Sequence, residues 1–262
     1  MPRVIAIANQ KGGVGKTTTA VNLGAGLALA GGTTILLDLD PQANSTRALG
    51  VARDPARPSI YDCLIEGTSI DEVLLPTDME NLWLCPSENE LTGAEVELVT
   101  LPKREYRLSD LIAGLNKPVD FVLIDCPPSL SFLTVNALSA ADSVLIPIQC
   151  EYLALEGVTQ LIDTLRRIKK ALNPKLQVEG VLLTMYDERT NLSRQVAEEV
   201  ISYFKGAVYQ TVIPRNIRLG EAPSFGKPIF LYDARSKGAT AYLDLAKEIL
   251  NSEPRTETQG AG

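Results

Sequence analysis

Short apolar runs, separated by longer stretches of helical period, constrain this chain more than any other feature. The runs are VIAIA (4–8), TILLDLD (34–40), DFVLID (120–125), SVLIPI (143–148), VEGVLLTM (178–185) and AVYQTVIP (207–214). Several are apolar continuously instead of at every second position, as expected of central strands covered on both faces. Helical patterns fill the gaps, over residues 16–30, 104–115, 154–172, 192–204 and 238–250. Alternation of this kind demands parallel pairing through right-handed crossovers. The expected fold class is therefore α/β: a single domain with a mostly parallel twisted sheet flanked by helices. A chain of 262 residues suffices for one such domain with a large core and leaves little for a second. The domain is placed at 1–250, and the polar, glycine-ended NSEPRTETQGAG (251–262) is read as a disordered tail. Between 50 and 100 the chain is rich in proline, glycine and acids, with short helices expected near SIYDCLIEG and SIDEVLL.

What the chain lacks narrows its chemistry. It contains no histidine, which removes His-based triads and the commonest metal ligand. Lysine, aspartate, threonine and backbone amides must carry any catalysis. Cys63, Cys85, Cys126 and Cys150 lie far apart with no C-x-x-C pair, a spacing that suggests reduced thiols in a cytosolic protein and neither a zinc knuckle nor a disulfide framework. The start MPRVIAIANQ has too short an apolar run for a signal peptide, and no stretch approaches the ~20 residues of a membrane span. A cytoplasmic protein without membrane contact is expected. The formal net charge of -7 argues against indiscriminate binding to nucleic acid, so contact with a polyanion must come from a local patch.

Between the first expected strand and the first expected helix lies NQKGGVGKTTT (9–19). A phosphate-binding loop ordinarily reads G-x-x-x-x-G-K-[ST]. Here Gly15, Lys16 and Thr17 fit its end, but the residue five before Gly15 is Gln10, and a second lysine, Lys11, stands at the front. In a strand–loop–helix setting the glycine-rich turn points backbone N–H groups at phosphate oxygens, and the helix N-terminus adds partial positive charge. Lys16 then reaches the β- and γ-phosphates, and the Thr17 hydroxyl ligates Mg²⁺. Such a site needs an acid at the tip of a neighbouring strand to hold magnesium. FVLIDCPPS places Asp125 there, after four apolar residues and before prolines that end the strand. LLDLDPQ offers a second acidic strand end, in which Asp38 and Asp40 share a face if the strand runs that far. Asp40 either opens an Asx-turn ahead of Pro41 or, at the sheet edge where ligands of open α/β folds bind, positions water. A guanine site would carry Asn-Lys-x-Asp after a late strand. NKPVD (116–120) is one residue too long and precedes a strand, so adenine is expected.

Together KGGVGKTTT, LLDLDPQANST, FVLIDCPPS, LLTMYDERTNLS and VIPRNIRLGEAPSFGKPI closely resemble the ParA/Soj family of chromosome- and plasmid-partitioning ATPases, over about residues 3 to 250. That family belongs to the deviant Walker A type of P-loop NTPase, which the extra lysine marks. The resemblance implies that Lys11 reaches across a dimer interface to the partner's phosphates, an arginine-finger-like cation supplied in trans. It implies that Gly12, Gly13, Val14, Gly15, Lys16, Thr17 and Thr18 wrap the phosphates of ATP, that Asp40 orients the attacking water, and that Pro214 and Asn216 lie beside the base. It further implies weak, Mg²⁺-dependent hydrolysis and an ATP-dependent homodimer that binds double-stranded DNA without sequence preference. That dimer would be nucleoid-associated and released on hydrolysis stimulated by a ParB-like centromere-binding protein. Arg189 and Arg218 match family positions that contact DNA, with Lys205, Lys227 and Lys247 as weaker candidates. The first strand starts at once, which matches the short form without an N-terminal helix-turn-helix domain.

The charge distribution leans the same way. Residues 1–180 carry 15 Lys+Arg against 22 Asp+Glu, and residues 181–250 carry 9 against 8, so the less acidic C-terminal third is where a DNA patch is expected. A MinD-like membrane-cycling ATPase is the alternative, but it ends in a basic amphipathic helix, and AYLDLAKEILNSEPRTETQGAG has no sustained basic face. An ATPase resembling the nitrogenase iron protein would need cysteine ligands for an iron–sulfur cluster, and Cys126 has no matching pair. The tyrosine kinases of this superfamily need a C-terminal tyrosine cluster that is absent here.

Overall fold

Each continuous apolar run forms a strand because both of its faces are covered. The computed structural model describes residues 1–152, 154 and 156–252. In chain order the elements are β1 (Arg3–Ile7), α1 (Lys16–Leu29), β2 (Thr34–Asp38), α2 (Asn44–Ala48), α3 (Ile60–Ile65), α4 (Ile70–Val73), β3 (Leu75–Pro76), β4 (Leu82–Cys85), α5 (Leu91–Glu97), α6 (Arg107–Ala113), β5 (Phe121–Asp125) and α7 (Phe132–Ala140). There follow β6 (Ser143–Gln149), α8 (Glu156–Ala171), β7 (Gln177–Thr184), α9 (Asn191–Phe204), α10 (Ile217–Glu221), α11 (Ile229–Tyr232) and α12 (Lys237–Leu250). The strands form one sheet in the order β3-β4-β2-β5-β1-β6-β7. Every pairing is parallel except β3 with β4.

Side chains alternate between the two sides of the sheet, and both sides are apolar. From β1, Val4 and Ala6 join a core that includes Leu133, Leu161 and Val200, while Ile5 and Ile7 face the opposite core with Leu23, Tyr242 and Leu245. That second core is closed by α12 lying on α1. The contact is tight at Gly26, where a Cβ would sit 3.1 Å from the Tyr242 carbonyl oxygen and 3.2 Å from the Ala246 Cβ. The apolar face of α12 is thus consumed inside the domain.

Three expectations need correction. AVYQTVIP is not a continuous strand: it meets β7 at two isolated bridges, Val181 with Val208 and Tyr186 with Pro214, and through the Ile213 amide, which donates to the Leu183 carbonyl oxygen at 2.9 Å. Between those points the Gln210 and Thr211 amides donate to the Glu248 carboxylate on α12 at 3.0 and 3.1 Å, leaving the ladder. Second, α7 escapes the helical pattern because it is buried all round, with Leu133, Thr134, Asn136, Ala137, Leu138 and Ser139 all inside. A helix without a polar face has no amphipathic period to detect. Third, β3 and β4 lie in the stretch read only as short helices; those helices are present as α3 and α4. Of the tail, Asn251 caps α12 and the Ser252 carbonyl accepts from Arg3 Nη1 at 3.2 Å; residues 253–262 lie outside the described residues.

Arg3 ties the N-terminal edge of the sheet to the end of α12. Its guanidinium also donates to the Ile249 carbonyl oxygen at 3.0 Å and pairs with Glu179. The Glu179 side chain is only 1% exposed and is bonded to Ser143 as well. Removing one member of a buried ion pair strands the other. Arg3→Ala should therefore lower stability by about 3–5 kcal/mol, read from denaturant unfolding midpoints; a loss below about 1 kcal/mol, the level of a surface pair, would show that the cluster is not a buried one.

Candidate nucleotide site

Parallel register builds the site. β5 lies between β1 and β2, and Ile7, Asp125 and Asp38 pair side by side across the three strands. The chain leaving β1 becomes the glycine loop, and the chains leaving β5 and β2 bring carboxylates to the same edge. Gly15 enters α1 at φ 90°, ψ 24° as its N-cap, with Gly13 also at positive φ. A side chain at Gly15 would meet only ordinary contacts, none closer than 3.8 Å, so the left-handed backbone and not lack of room requires glycine there.

Several polar groups lock the loop. Asn9, buried, donates to the Pro147 carbonyl oxygen of β6 at 2.8 Å, and its Oδ1 accepts from the Lys11 amide at 3.0 Å. The Thr184 hydroxyl, at the end of β7, donates to the Val14 carbonyl oxygen at 2.8 Å. Lys16 is 7% exposed, and its Nζ donates to the Lys11 carbonyl oxygen at 3.1 Å. Burial lowers its pKa, opposed by the charges of Asp125 and Asp40. Lys11 is half-buried, Gly12 and Gly13 are exposed, and Thr17 and Thr18 are half-buried on the first turn of α1. The backbone of Lys11 is therefore fixed on both sides. Its ammonium has no carboxylate partner among the described residues.

The acids are buried and crowded. Asp38 and Asp125 are inaccessible to solvent and Asp40 is 7% exposed. Asp38 Oδ2 accepts from the Thr46 amide and hydroxyl, each at 2.7 Å, and its Oδ1 accepts from the Asp40 amide at 3.3 Å. Asp125 Oδ2 accepts from the Ser45 hydroxyl at 2.8 Å. Burial pushes both carboxyls well above the ordinary range; the charge of Asp125 adds to this at Asp38, while the Ser45 and Thr17 hydroxyls and Lys16 pull Asp125 part-way back. β2 stops at Asp38, so Asp40 sits in the following turn, where its Oδ1 accepts from the Gln42 amide at 2.9 Å. This is an Asx-turn; both readings offered for Asp40 remain compatible, because only one carboxylate oxygen is used in it.

The residues suit a magnesium ion. Asp125 Oδ1 is sealed from solvent and has no hydrogen-bond partner among the described residues. It lies where Thr17 supplies a second hard oxygen, and Mg²⁺ characteristically takes one or two protein oxygens together with phosphates and waters. Cys126 offers no comparable donor: it is fully buried, and burial and the charge of Asp125 push its thiol far up.

Comparisons with known proteins decide the family. A model described as an AAA domain matches residues 2–178. The sporulation initiation inhibitor protein Soj of Bacillus subtilis is 55% identical over 249 residues, covering 95% of this chain and 98% of that protein. The chromosome partitioning protein ParA of Myxococcus xanthus is 53% identical over 251 residues, covering 96% and 89%. The chain belongs to the Soj/ParA family of chromosome-partitioning ATPases. Among solved structures, cobyrinic acid a,c-diamide synthase of Mycobacterium smegmatis with bound ADP and magnesium superposes with a TM-score of 0.84 at 40% identity, over 95% of this chain and 94% of that one. The cell division ATPase MinD of Pyrococcus furiosus gives 0.77 at 28%, over 95% and 99%. One architecture thus carries proteins named for different activities, and function has to be argued from the site.

Soj/ParA membership makes the placement of the remaining expected residues informative. Pro214 is drawn toward the loop through β7: the Tyr186 amide donates to the Ile213 carbonyl oxygen at 3.1 Å and the Arg215 amide to the Tyr186 carbonyl oxygen at 2.9 Å, two residues beyond Thr184. Asn216 uses its Oδ1 to cap α10, accepting from the Arg218 amide at 2.8 Å. A cleft of about 650 Å³ opens beside Pro214, between Tyr186, Thr211 and the Lys237 and Ala241 face of α12. The expected DNA-contacting arginines are already engaged. Arg189, 82% exposed, forms a two-pronged pair with Asp187 at 2.8 and 2.7 Å. Arg218 pairs with Glu221 at 2.8 Å and Asp233 at 3.5 Å. Lys205, Lys227 and Lys247 are exposed, the last 3.4 Å from Asp244. Sequence reasoning passed over Asn9, Ser45, Thr46, Ser87 and Thr184, whose polar side chains are all buried at the site. The run NST after LLDLDPQA was the available signal for two of them.

The crowded acids predict a pH dependence of the nucleotide-free protein. A carboxyl whose pKa is higher folded than unfolded binds more protons in the folded state, so its contribution to stability is present at low pH and lost as pH rises. The window runs from about pH 4, where an unfolded aspartate titrates, toward neutrality. Asp125→Asn should therefore melt at a higher temperature than the unaltered chain, with a gap that widens as pH increases through this window. A gap constant with pH would show that the Asp125 carboxyl is not destabilised in the fold.

Proposed function

We propose that this chain is an ATP-hydrolysing switch for chromosome or plasmid partitioning, in which an ATP-bound homodimer binds DNA without sequence preference and lets go after hydrolysis. Lys11 is the observation that carries this reading. Its backbone is held by Asn9 on one side and Lys16 on the other, while its ammonium has no carboxylate partner among the described residues. A cation presented in this way at the rim of a phosphate loop suits phosphates held by a second copy of the chain.

In the proposed cycle Gly12 to Thr18 cradle the triphosphate with backbone amides, and Lys16 spans its outer phosphates. Thr17 and Asp125 would hold Mg²⁺, which would supply positive charge against the charge that develops on the phosphates. Asp40 orients water with the carboxylate oxygen that its turn leaves free. Pro214 and Asn216 flank the base. The chain has no histidine to serve as general base, so the rate rests on positioning and on charge supplied across the dimer, which fits slow intrinsic turnover. Support for nucleotide and magnesium comes from the M. smegmatis relative, whose structure holds ADP and magnesium.

The DNA surface is proposed around Arg189 and Arg218, in the cytoplasm at the nucleoid. Each cation is paired with carboxylates of its own surface, so a phosphate must compete with Asp187, or with Glu221 and Asp233. Such a patch is weak in one copy and gains strength when two act together. A ParB-like partner would approach with a basic segment, complementary to the acidic balance of residues 1–180. A membrane-cycling role is less well supported. The buried face of α12, with Ala239, Tyr242, Leu245 and Ile249, is already packed in the core, and no described helix is long and apolar enough to cross a bilayer.

Light scattering with ATP separates these roles. Lys16→Ala should fail to bind ATP or to dimerise with it, Lys11→Ala should bind ATP without hydrolysing it, and Asp40→Ala should bind ATP and accumulate as dimer. An Asp40→Ala protein that stays monomeric while Lys16→Ala dimerises would overturn the assignment.

A further inference from the structure

A chain of buried hydrogen bonds runs through α2 and has no part in the roles given so far. Ser45 and Thr46 are sequence neighbours, both inaccessible to solvent, yet they grip different carboxylates. The Ser45 hydroxyl donates to Asp125 Oδ2, and the Thr46 amide and hydroxyl donate to Asp38 Oδ2. The Thr46 oxygen in turn accepts from the Ser87 amide at 3.0 Å, and the Ser87 hydroxyl donates to the Asp40 carbonyl oxygen at 2.8 Å. With Asp40 N–H bonded to Asp38 Oδ1, the backbone of Asp40 is held at both its amide and its carbonyl. The Ala43 amide reaches the same carbonyl oxygen at 2.8 Å, from a left-handed residue at φ 53° that turns the chain into α2.

We infer that Ser45, Thr46 and Ser87 are positioning residues that couple the orientation of Asp40 to the state of Asp125. This rests on the water-orienting role proposed for Asp40. Two successive residues of one short helix cannot move independently. When the second oxygen of Asp125 is engaged, any adjustment of that carboxyl acts on Ser45, passes through the shared peptide to Thr46, and reaches the Asp40 turn by way of Asp38 and Ser87. Buried hydroxyls that served packing alone would be replaceable by apolar groups of equal shape at little loss. Here each hydroxyl satisfies a charged or backbone group that has few alternatives. A displacement of about 1 Å at a reacting group is enough to slow catalysis about a hundredfold.

Thr46→Val keeps the branched volume and removes the hydroxyl, Thr46→Ser keeps the hydroxyl, and Ser87→Ala removes the donor to Asp40 without touching Asp38. Steady-state ATP hydrolysis with Mg²⁺, ATP-driven dimerisation by light scattering, and thermal stability are measured for each. We expect Thr46→Val and Ser87→Ala to lower kcat by about tenfold to a hundredfold, with KM for ATP and ATP-driven dimerisation preserved, and Thr46→Ser to restore kcat. A kcat unchanged in Ser87→Ala overturns the inference, as does a loss that tracks KM, dimerisation or the folded fraction. Absence of ATP hydrolysis by the unaltered protein would instead contradict the proposed function itself, and this inference with it.

Discussion

The lateral register of three strand ends is the constraint on which the rest of the molecule depends. Because β5 pairs with β1 on one side and β2 on the other, Ile7, Asp125 and Asp38 stand in one row. A slip of one residue in either pairing would turn every side chain of the displaced strand to the opposite face and carry a carboxylate away from the glycine loop. The two apolar cores enforce that register. Val4 and Ala6 belong to one and Ile5 and Ile7 to the other, so neither phase of β1 is free to move. Packing far from the site thus places its charges.

That placement gathers like charges with little water. Asp40 and Asp125 share one buried ammonium, Lys16, Asp38 lies beside Asp125, and the two strand-end carboxyls are pushed toward their neutral forms. A site of this kind is poor in stability by itself and gains from a ligand that brings cations and accepts hydrogen bonds. The hydroxyls of Ser45 and Thr17 bond Asp125, that of Thr46 bonds Asp38, and that of Ser87 bonds the Asp40 backbone in the meantime. In that sense the nucleotide site and the fold share one set of interactions, and a change at either is felt by the other.

Much of this was legible in the amino-acid order. Continuous apolar runs announced strands buried on both faces, and glycines between a strand and a helix announced the loop, because positive φ at Gly13 and Gly15 has few other solutions. Asp125 was legible as the last residue of an apolar run before two prolines. What escaped was whatever lacks a periodic signature. Helix α7 is buried all round, β4 is four residues long, and the 207–214 run looks like a strand until Glu248 draws its amides away. The pairing of Arg189 with Asp187 and of Arg218 with Glu221 is local and visible only in three dimensions. The serine and threonine network was hidden for the same reason: hydroxyls at Ser45, Thr46 and Ser87 are common residues until their partners are known.

The central claim is that ATP converts a weak, carboxylate-masked patch into a DNA-binding surface by pairing two copies of it. Equilibrium binding of the unaltered protein to unrelated duplexes, across a salt series, with ATP, with ADP and without nucleotide, tests it most directly. The account predicts binding only with ATP, falling steeply with salt and hardly varying with sequence. Equal affinity in all three nucleotide states, or none in any of them, would contradict it.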